Sequence, residues 1–217
     1  MPEILDPRDF IITRKRKKYR FAKFHNAPNC FEFDEWPHHQ VDVVEIGAGT
    51  ALFLVELASR HPDKTFLALD VKADRLQKGA YDAIERGVTN IFFVRARADQ
   101  LNQICERASV DDIWLTFSDP FPKRRSAGRR LTHPTFLDIY ATVLRPEGHL
   151  RVKHDNPTFF AWSLEQLVRE GWLIDELSFD VHELGIDDDV SVHTSYEQRW
   201  LDEGRVTQYV SARCCQK

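Results

Sequence analysis

Cysteine is scarce in this 217-residue chain: Cys30, Cys105, Cys214 and Cys215 are the only four, and none forms a C-x-x-C pair. That spacing suggests neither a zinc site nor a disulfide framework, so a reducing compartment is the simplest setting. No stretch approaches the ~20 apolar residues of a membrane span. Met1-Pro2-Glu3-Ile4-Leu5-Asp6 lacks the basic-then-apolar layout of a secretory leader, so a cytoplasmic location and no membrane partner are expected. Internal repeats and low-complexity tracts are absent. His25, His38, His39 and His61 have no ligand spacing. Asp187-Asp188-Asp189 reads as a solvated loop, and no metal is expected.

Basic charge is not in excess either, since the formal net charge is −4. Its distribution says more. Arg14, Lys15, Arg16, Lys17, Lys18, Arg20 and Lys23 crowd one segment, and Lys123, Arg124, Arg125, Arg129 and Arg130 crowd another. An acidic chain that gathers its positive charge into two short stretches points to a polyanionic partner. In the first stretch Tyr19, Phe21 and Phe24 interleave with the charges, a composition suited to base stacking plus phosphate contact or to pinning the arm onto a domain. Residues 1–32 therefore read as a basic extension, possible as a flexible arm, and 33–217 as one α/β domain. A chain with 42% apolar residues is long enough to build such a core.

From residue 41 the pattern alternates. Val41–Ile46 reads as a strand, followed by a glycine loop and a helix carrying Leu52, Val55, Leu57 and Ala58. Strands are expected near 65–70, 90–95, 112–118, 149–153, 172–181 and 205–212. Helices are expected near 73–86, 99–107, 133–144 and 158–170, with Gly87 and Gly171 as stops. The alternation predicts a Rossmann-like, doubly wound, mostly parallel sheet of seven strands. The last two strands have no long helix between them, so the final strand should run antiparallel.

Two places carry chemistry. Gly47-Ala48-Gly49 lies between a strand and a helix, where backbone can approach a ligand closely. The third glycine of a dinucleotide fingerprint is missing, because Leu52 stands there. Glu45 just before the loop would repel a pyrophosphate and attract a cation. Asp70, 21 residues after Gly49, ends the next strand and suits ribose hydroxyls. A donor with a sulfonium, an ammonium and a ribose meets these conditions, which leads to S-adenosylmethionine, with S-adenosylhomocysteine as product. The second place is Phe117-Ser118-Asp119-Pro120-Phe121-Pro122. Proline cannot donate to a strand ladder, so the two prolines force a corner that presents Asp119 at the ligand-binding end of a buried strand.

Val44-Glu45-Ile46-Gly47-Ala48-Gly49 with Asp70 resembles the class I methyltransferases. Adding Phe117–Arg125 with Arg129-Arg130-Leu131, then Asp155-Asn156, then Thr194-Ser195-Tyr196-Glu197 before Gly204, the chain resembles the bacterial tRNA (guanine-N7)-methyltransferases over roughly residues 40–212. The resemblance implies methyl transfer from S-adenosylmethionine to the guanine at position 46 of the tRNA variable loop. It implies that Glu45, Gly47, Gly49, Asp70 and Ala98 hold the donor and that Asp119 touches donor and base as the catalytic residue. Lys123, Asp155, Thr194, Ser195, Tyr196 and Glu197 would hold the substrate. Arg124, Arg125, Arg129, Arg130, Lys15, Lys17 and Lys18 would meet tRNA phosphates. A monomer or homodimer with no obligate protein partner follows from the same likeness.

Five positions depart from the family pattern. Phe121 replaces a tryptophan, Ser126 and Gly128 replace a histidine and a lysine, and Ala51 replaces a glycine. Arg97 stands where an aspartate usually accepts from the adenine amine, and arginine cannot accept a hydrogen bond. Asp99 is the nearest substitute acceptor. Two other functions stay open at this level. One is a same-fold methyltransferase acting on a planar amine in adenine or glutamine, because Asp119-Pro120-Phe121 resembles their Asp-Pro-Pro-aromatic corner. The other is a non-catalytic RNA-binding relative, for which Arg97 argues.

Overall fold

In the computed structural model the described residues are 15–181, 188–192 and 206–214, with the side chains of 15–18 excluded. Alternation of apolar side chains sets the architecture. In β2 (Val43–Ile46), Val44 and Ile46 face one core and Val43 the other; in β3 (Phe66–Asp70), Leu67 and Leu69 oppose Phe66 and Ala68. A strand apolar on both faces needs cover on both sides.

On one face lie α1 (Lys15–Asn26), α2 (Leu52–Arg60) and α3 (Ala73–Arg86). On the other lie α4 (Leu101–Ile104), α5 (Pro134–Val143) and α6 (Pro157–Arg169). α3 buries Leu76, Gly79, Ala80 and Ala83, a stripe at i, i+3, i+4 and i+7, and stops at Gly87 in the left-handed conformation. α6 starts cleanly because Asn156 Oδ1 accepts from the Phe159 N–H at 2.9 Å and Pro157 occupies the first turn.

The remaining strands are β1 (Cys30–Glu32), β4 (Ile91–Arg95), β5 (Val110–Thr116), β6 (Leu144–His154), β7 (Trp172–Ser178) and β8 (Gln208–Cys214). Their order in the sheet is β1-β4-β3-β2-β5-β6-β8-β7. Every neighbouring pair is parallel except the two made by β8, which runs antiparallel to β6 and to β7. The doubly wound sheet with an antiparallel final strand is therefore present, with eight strands rather than seven.

The eighth strand comes from the segment read as an extension. β1 pairs with β4, and Phe24 and Ala27 of the preceding stretch are buried in the core beneath α2 and α3. From residue 15 onward the segment is part of the fold. Phe21 and Phe24 mark the packed side of α1, while Tyr19 is exposed: Arg95 lies over the Phe21 ring at 5.5 Å and Lys23 over the Tyr81 ring of α3 at 4.9 Å. Residues 1–14 lie outside the described residues. Elsewhere α4 is shorter than expected, and β6 begins five residues early.

The connection reverses direction between β2 and β5. β2 leads to β3 on one side, while β5 pairs with β2 on the other, in the register Glu45↔Trp114. Open α/β sheets bind ligands at such a switch point, beyond the carboxyl ends of the strands. The loops after β2, β3, β4, β5 and β6 all converge on that edge.

Candidate active site

Two adjoining cavities open at this edge, one of about 400 Å³ and one of about 150 Å³. Asp70, Val71, Ala98 and Asp99 line the larger; Glu45, Gly49, Thr50 and Thr116 line the smaller. Gly47, Arg75, Phe117 and Asp119 line both, so Asp119 stands at their junction.

The glycine loop is shaped by backbone. Gly47 and Gly49 have φ of 73° and 57°, where glycine carries no Cβ penalty. Leu69 O accepts from the Gly47 N–H at 2.8 Å. Asp70 accepts from the Gly49 N–H and the Lys72 N–H, both at 2.8 Å, so one carboxylate ties the loop to the end of β3. A glycine outside the expected site residues completes the arrangement. A Cβ on Gly79 of α3 would lie 2.4 Å from the Thr50 carbonyl oxygen, so α3 can approach the loop only because that position is bare. An isolated glycine inside a strong helical pattern is the signal that could have found it.

Glu45 is 1% exposed on β2. Its Oε1 accepts from the Thr116 hydroxyl, while Oε2 is buried with no hydrogen-bond partner. Burial pushes its carboxyl up from 4.5 to about 8; the Thr116 bond and the Lys153 charge oppose that shift, and Asp70 adds to it. Lys153 is itself fully buried, and its ammonium donates to the carbonyls of Val190 (2.8 Å) and Val192 (3.1 Å), pinning residues 188–192 against the sheet. At the far side of that segment His61 Nε2 meets Asp189 Oδ2 at 2.8 Å, so part of the acidic run is paired.

The Asp119 corner is built differently. Phe117 and Phe121 take positive φ, 48° and 38°, without being glycine. Such conformations cost roughly 1–3 kcal/mol each and persist only where surroundings impose them. Side chains impose them here. His154, the last residue of β6, meets the Ser118 carbonyl through Nε2 at 2.8 Å. Arg130 donates to the Pro120 carbonyl at 3.0 Å and the Phe121 carbonyl at 3.1 Å, and its guanidinium lies 4.4 Å from the Trp162 ring. Asp119 itself is exposed.

Of the other anticipated residues, Lys123, Arg124, Arg125 and Arg129 are exposed along the 3-10 helix Arg124–Arg129. Arg129 covers one face of Phe121 at 4.4 Å. Arg130, anticipated with them as a phosphate contact, is turned inward and spends its donors on the corner. Asp155 follows His154 at the end of β6. Thr194, Ser195, Tyr196 and Glu197 lie outside the described residues, as do the side chains of Lys15, Lys17 and Lys18. The backbone of those lysines forms the first turn of α1. Phe21 sits against Arg95 at the carboxyl end of β4 and Lys23 against Tyr81 in the middle of α3, so α1 starts toward the carboxyl edge of the sheet.

Arg97 does not close the larger cavity. Its guanidinium forks onto Asp99, Nε to Oδ1 at 2.8 Å and Nη2 to Oδ2 at 2.5 Å, which neutralises the charge and draws the Asp99 carboxyl below its ordinary range.

A family model described as "Putative methyltransferase" matches residues 39–209. A protein of Levilactobacillus brevis named tRNA (guanine-N(7)-)-methyltransferase is 35% identical over 178 residues, covering 81% of each chain. A protein of the same name from Bacteroides thetaiotaomicron is 30% identical and covers 94% of this chain and 87% of its own. Among solved structures, the 16S rRNA methyltransferase KamB superposes with a TM-score of 0.62 at 16% identity, over 83% of this chain and 91% of its own, which shows the shared fold.

Proposed function

The chain belongs to the tRNA (guanine-N7)-methyltransferase family, and on that premise we propose that it methylates N7 of a guanine in the tRNA variable loop with S-adenosylmethionine as donor. The observation that carries the site assignment is the place of Asp119, on the wall shared by the two cavities. The donor has two halves joined at sulfur, and the two cavities match them in chemistry. The larger offers Asp70 for ribose hydroxyls and the Ala98 backbone for adenine, with Asp99 keeping outer lone pairs for the adenine amine. The smaller offers Glu45, whose orphaned buried Oε2 fits a cationic group.

Bound S-adenosylmethionine supplies an electrophilic methyl group on a sulfonium. Guanine N7 carries an in-plane lone pair and no proton, so the protein needs no general base. What remains is placement and charge. Asp119, fixed between two strained backbone positions, orients the target and lies where positive charge moves onto the purine. Lys123 and Asp155 would hold the substrate, as would Thr194–Glu197, on the strength of the family resemblance.

Arg124, Arg125 and Arg129 would form one basic rim for the RNA, and the first turn of α1 would supply a second. Lys15, Lys17 and Lys18 would meet tRNA phosphates there, as the family resemblance implies. Arg130 is not assigned to that rim. The experiment is incubation with labelled donor and bulk tRNA, then mapping of chain breaks after borohydride and aniline. Breaks at a variable-loop guanine are expected; label in a base that resists this cleavage sinks the assignment.

A further inference from the structure

His154 has two hydrogen bonds that together define its state. Nδ1 lies 2.9 Å from the Asn156 backbone N–H, which can only donate, so Nδ1 accepts. Nε2 lies 2.8 Å from the Ser118 carbonyl, which can only accept, so Nε2 carries the hydrogen. The ring is therefore neutral, 3% exposed, and packed against Phe159 of α6 at 4.4 Å and Phe117 of the corner at 6.2 Å. It bridges the start of α6 to the residue before Asp119.

Resting on the reading of Asp119 above, we propose that His154 is a positioning residue for methyl transfer, its Nε2–H holding the Ser118 carbonyl so that the strained corner keeps the Asp119 carboxylate at the cavity junction. Protonation of Nδ1 would set donor against donor at Asn156 and break the bridge at its α6 end, freeing the ring to leave the corner. Burial resists that protonation, while the Ser118 carbonyl and the Asp155 carboxylate, 3.4 Å from Nδ1, favour it. The other charged neighbour in the chain, Lys153, points to the opposite face and is bound to Val190 and Val192. Across the sheet His154 pairs with Gln208 of β8, which is uncharged.

The test compares His154→Leu, which deletes the donor, with His154→Gln, whose amide nitrogen reaches the same carbonyl and does not titrate. For His154→Leu, kcat is expected to fall about 100-fold while calorimetric donor affinity and the KM for tRNA stay within about threefold. His154→Gln should restore at least about tenfold of that loss and abolish the parent's decline in kcat on the acid side of the ordinary histidine range, about 6.5. A folded Leu variant with parental kcat, or a Gln variant no better than it, overturns the proposal. Should the Leu variant fail to fold, the Gln variant decides alone, and an unchanged acid limb in it overturns the proposal. Asp119→Ala is assayed alongside. Full turnover there sinks the reading of Asp119; full turnover in His154→Leu beside an inactive Asp119→Ala sinks only the bridge.

Discussion

The glycine loop and the Asp119 corner face each other across one opening, yet they are held by opposite means. The loop takes left-handed φ at Gly47 and Gly49 and is bound by its own backbone to Leu69 O and the Asp70 carboxylate. Only Ala51 strains there. The corner takes left-handed φ at two phenylalanines and is bound from outside by His154 and Arg130. A self-supporting loop suits a donor met in the same pose on every turnover. A corner braced by distant side chains holds an exposed carboxylate in place, as the role proposed for Asp119 requires.

The sharpest break in that comparison is Asp119→Ala. Turnover should fall at least ~100-fold with donor binding retained in calorimetry, because the loop side is untouched. Near-normal turnover would remove Asp119 from the chemistry. Next in size is Gly79→Ala, which attacks the loop side alone. Its Cβ must displace the Thr50 carbonyl, an overpacking that should cost about 1–3 kcal/mol. A thermal melt and donor titration should show both effects, with any residual turnover still dependent on Asp119.

Glu45→Gln separates charge from shape in the smaller cavity. Without ligand, the buried acid is held neutral up to about pH 8, well above its ordinary 4.5. The folded state then binds the proton more tightly than the unfolded state, so this group's stabilising contribution is complete below the ordinary carboxyl range and is lost as pH rises through about 8. A cationic donor at Oε2 should release that proton, so its binding heat should vary with buffer ionisation enthalpy near neutral pH. The Gln variant should lose this dependence and bind about tenfold or more weakly, as expected when a hydrogen bond to a charged group is removed. Buffer-independent heats in the parent protein would mean that no proton moves.

The smallest effect concerns the two basic rims. Replacing Lys15, Lys17 and Lys18 by alanine should flatten the log–log salt dependence of tRNA binding by roughly 0.7–0.9 for each phosphate left without its lysine. kcat should hold at saturating tRNA. An unchanged slope would assign α1 to packing alone. Truncation cannot replace this experiment, because Phe24 belongs to the core.

Residues with local causes were legible. α3 was expected over 73–86 and runs there, because its apolar stripe and its glycine stop are both written in neighbouring residues. The glycine loop, Asp70 at a strand end and the proline-bounded corner were legible for the same reason. β1 and α1 were not, because basic residues masked a short apolar face whose partners on α3 and β4 lie far along the chain. Arg130 was grouped with its basic neighbours, since charge counts in sequence do not show which guanidinium turns inward. The need for a bare position at Gly79 was not legible, because the Thr50 carbonyl that requires it belongs to a separate loop.

By itself, then, the order of residues determined the alternation of strands and helices, the left-handed glycine turn and the proline-bounded corner after β5. These depend on backbone preferences and apolar periodicity within a few turns of chain. Only the tertiary structure decided that β5 lies against β2, that Thr116 bonds to Glu45 across 71 residues, and that His154 and Arg130 brace the corner. Those contacts arise because the parallel sheet brings the carboxyl ends of separate strands to one edge, and no local preference along the chain encodes which side chains meet there.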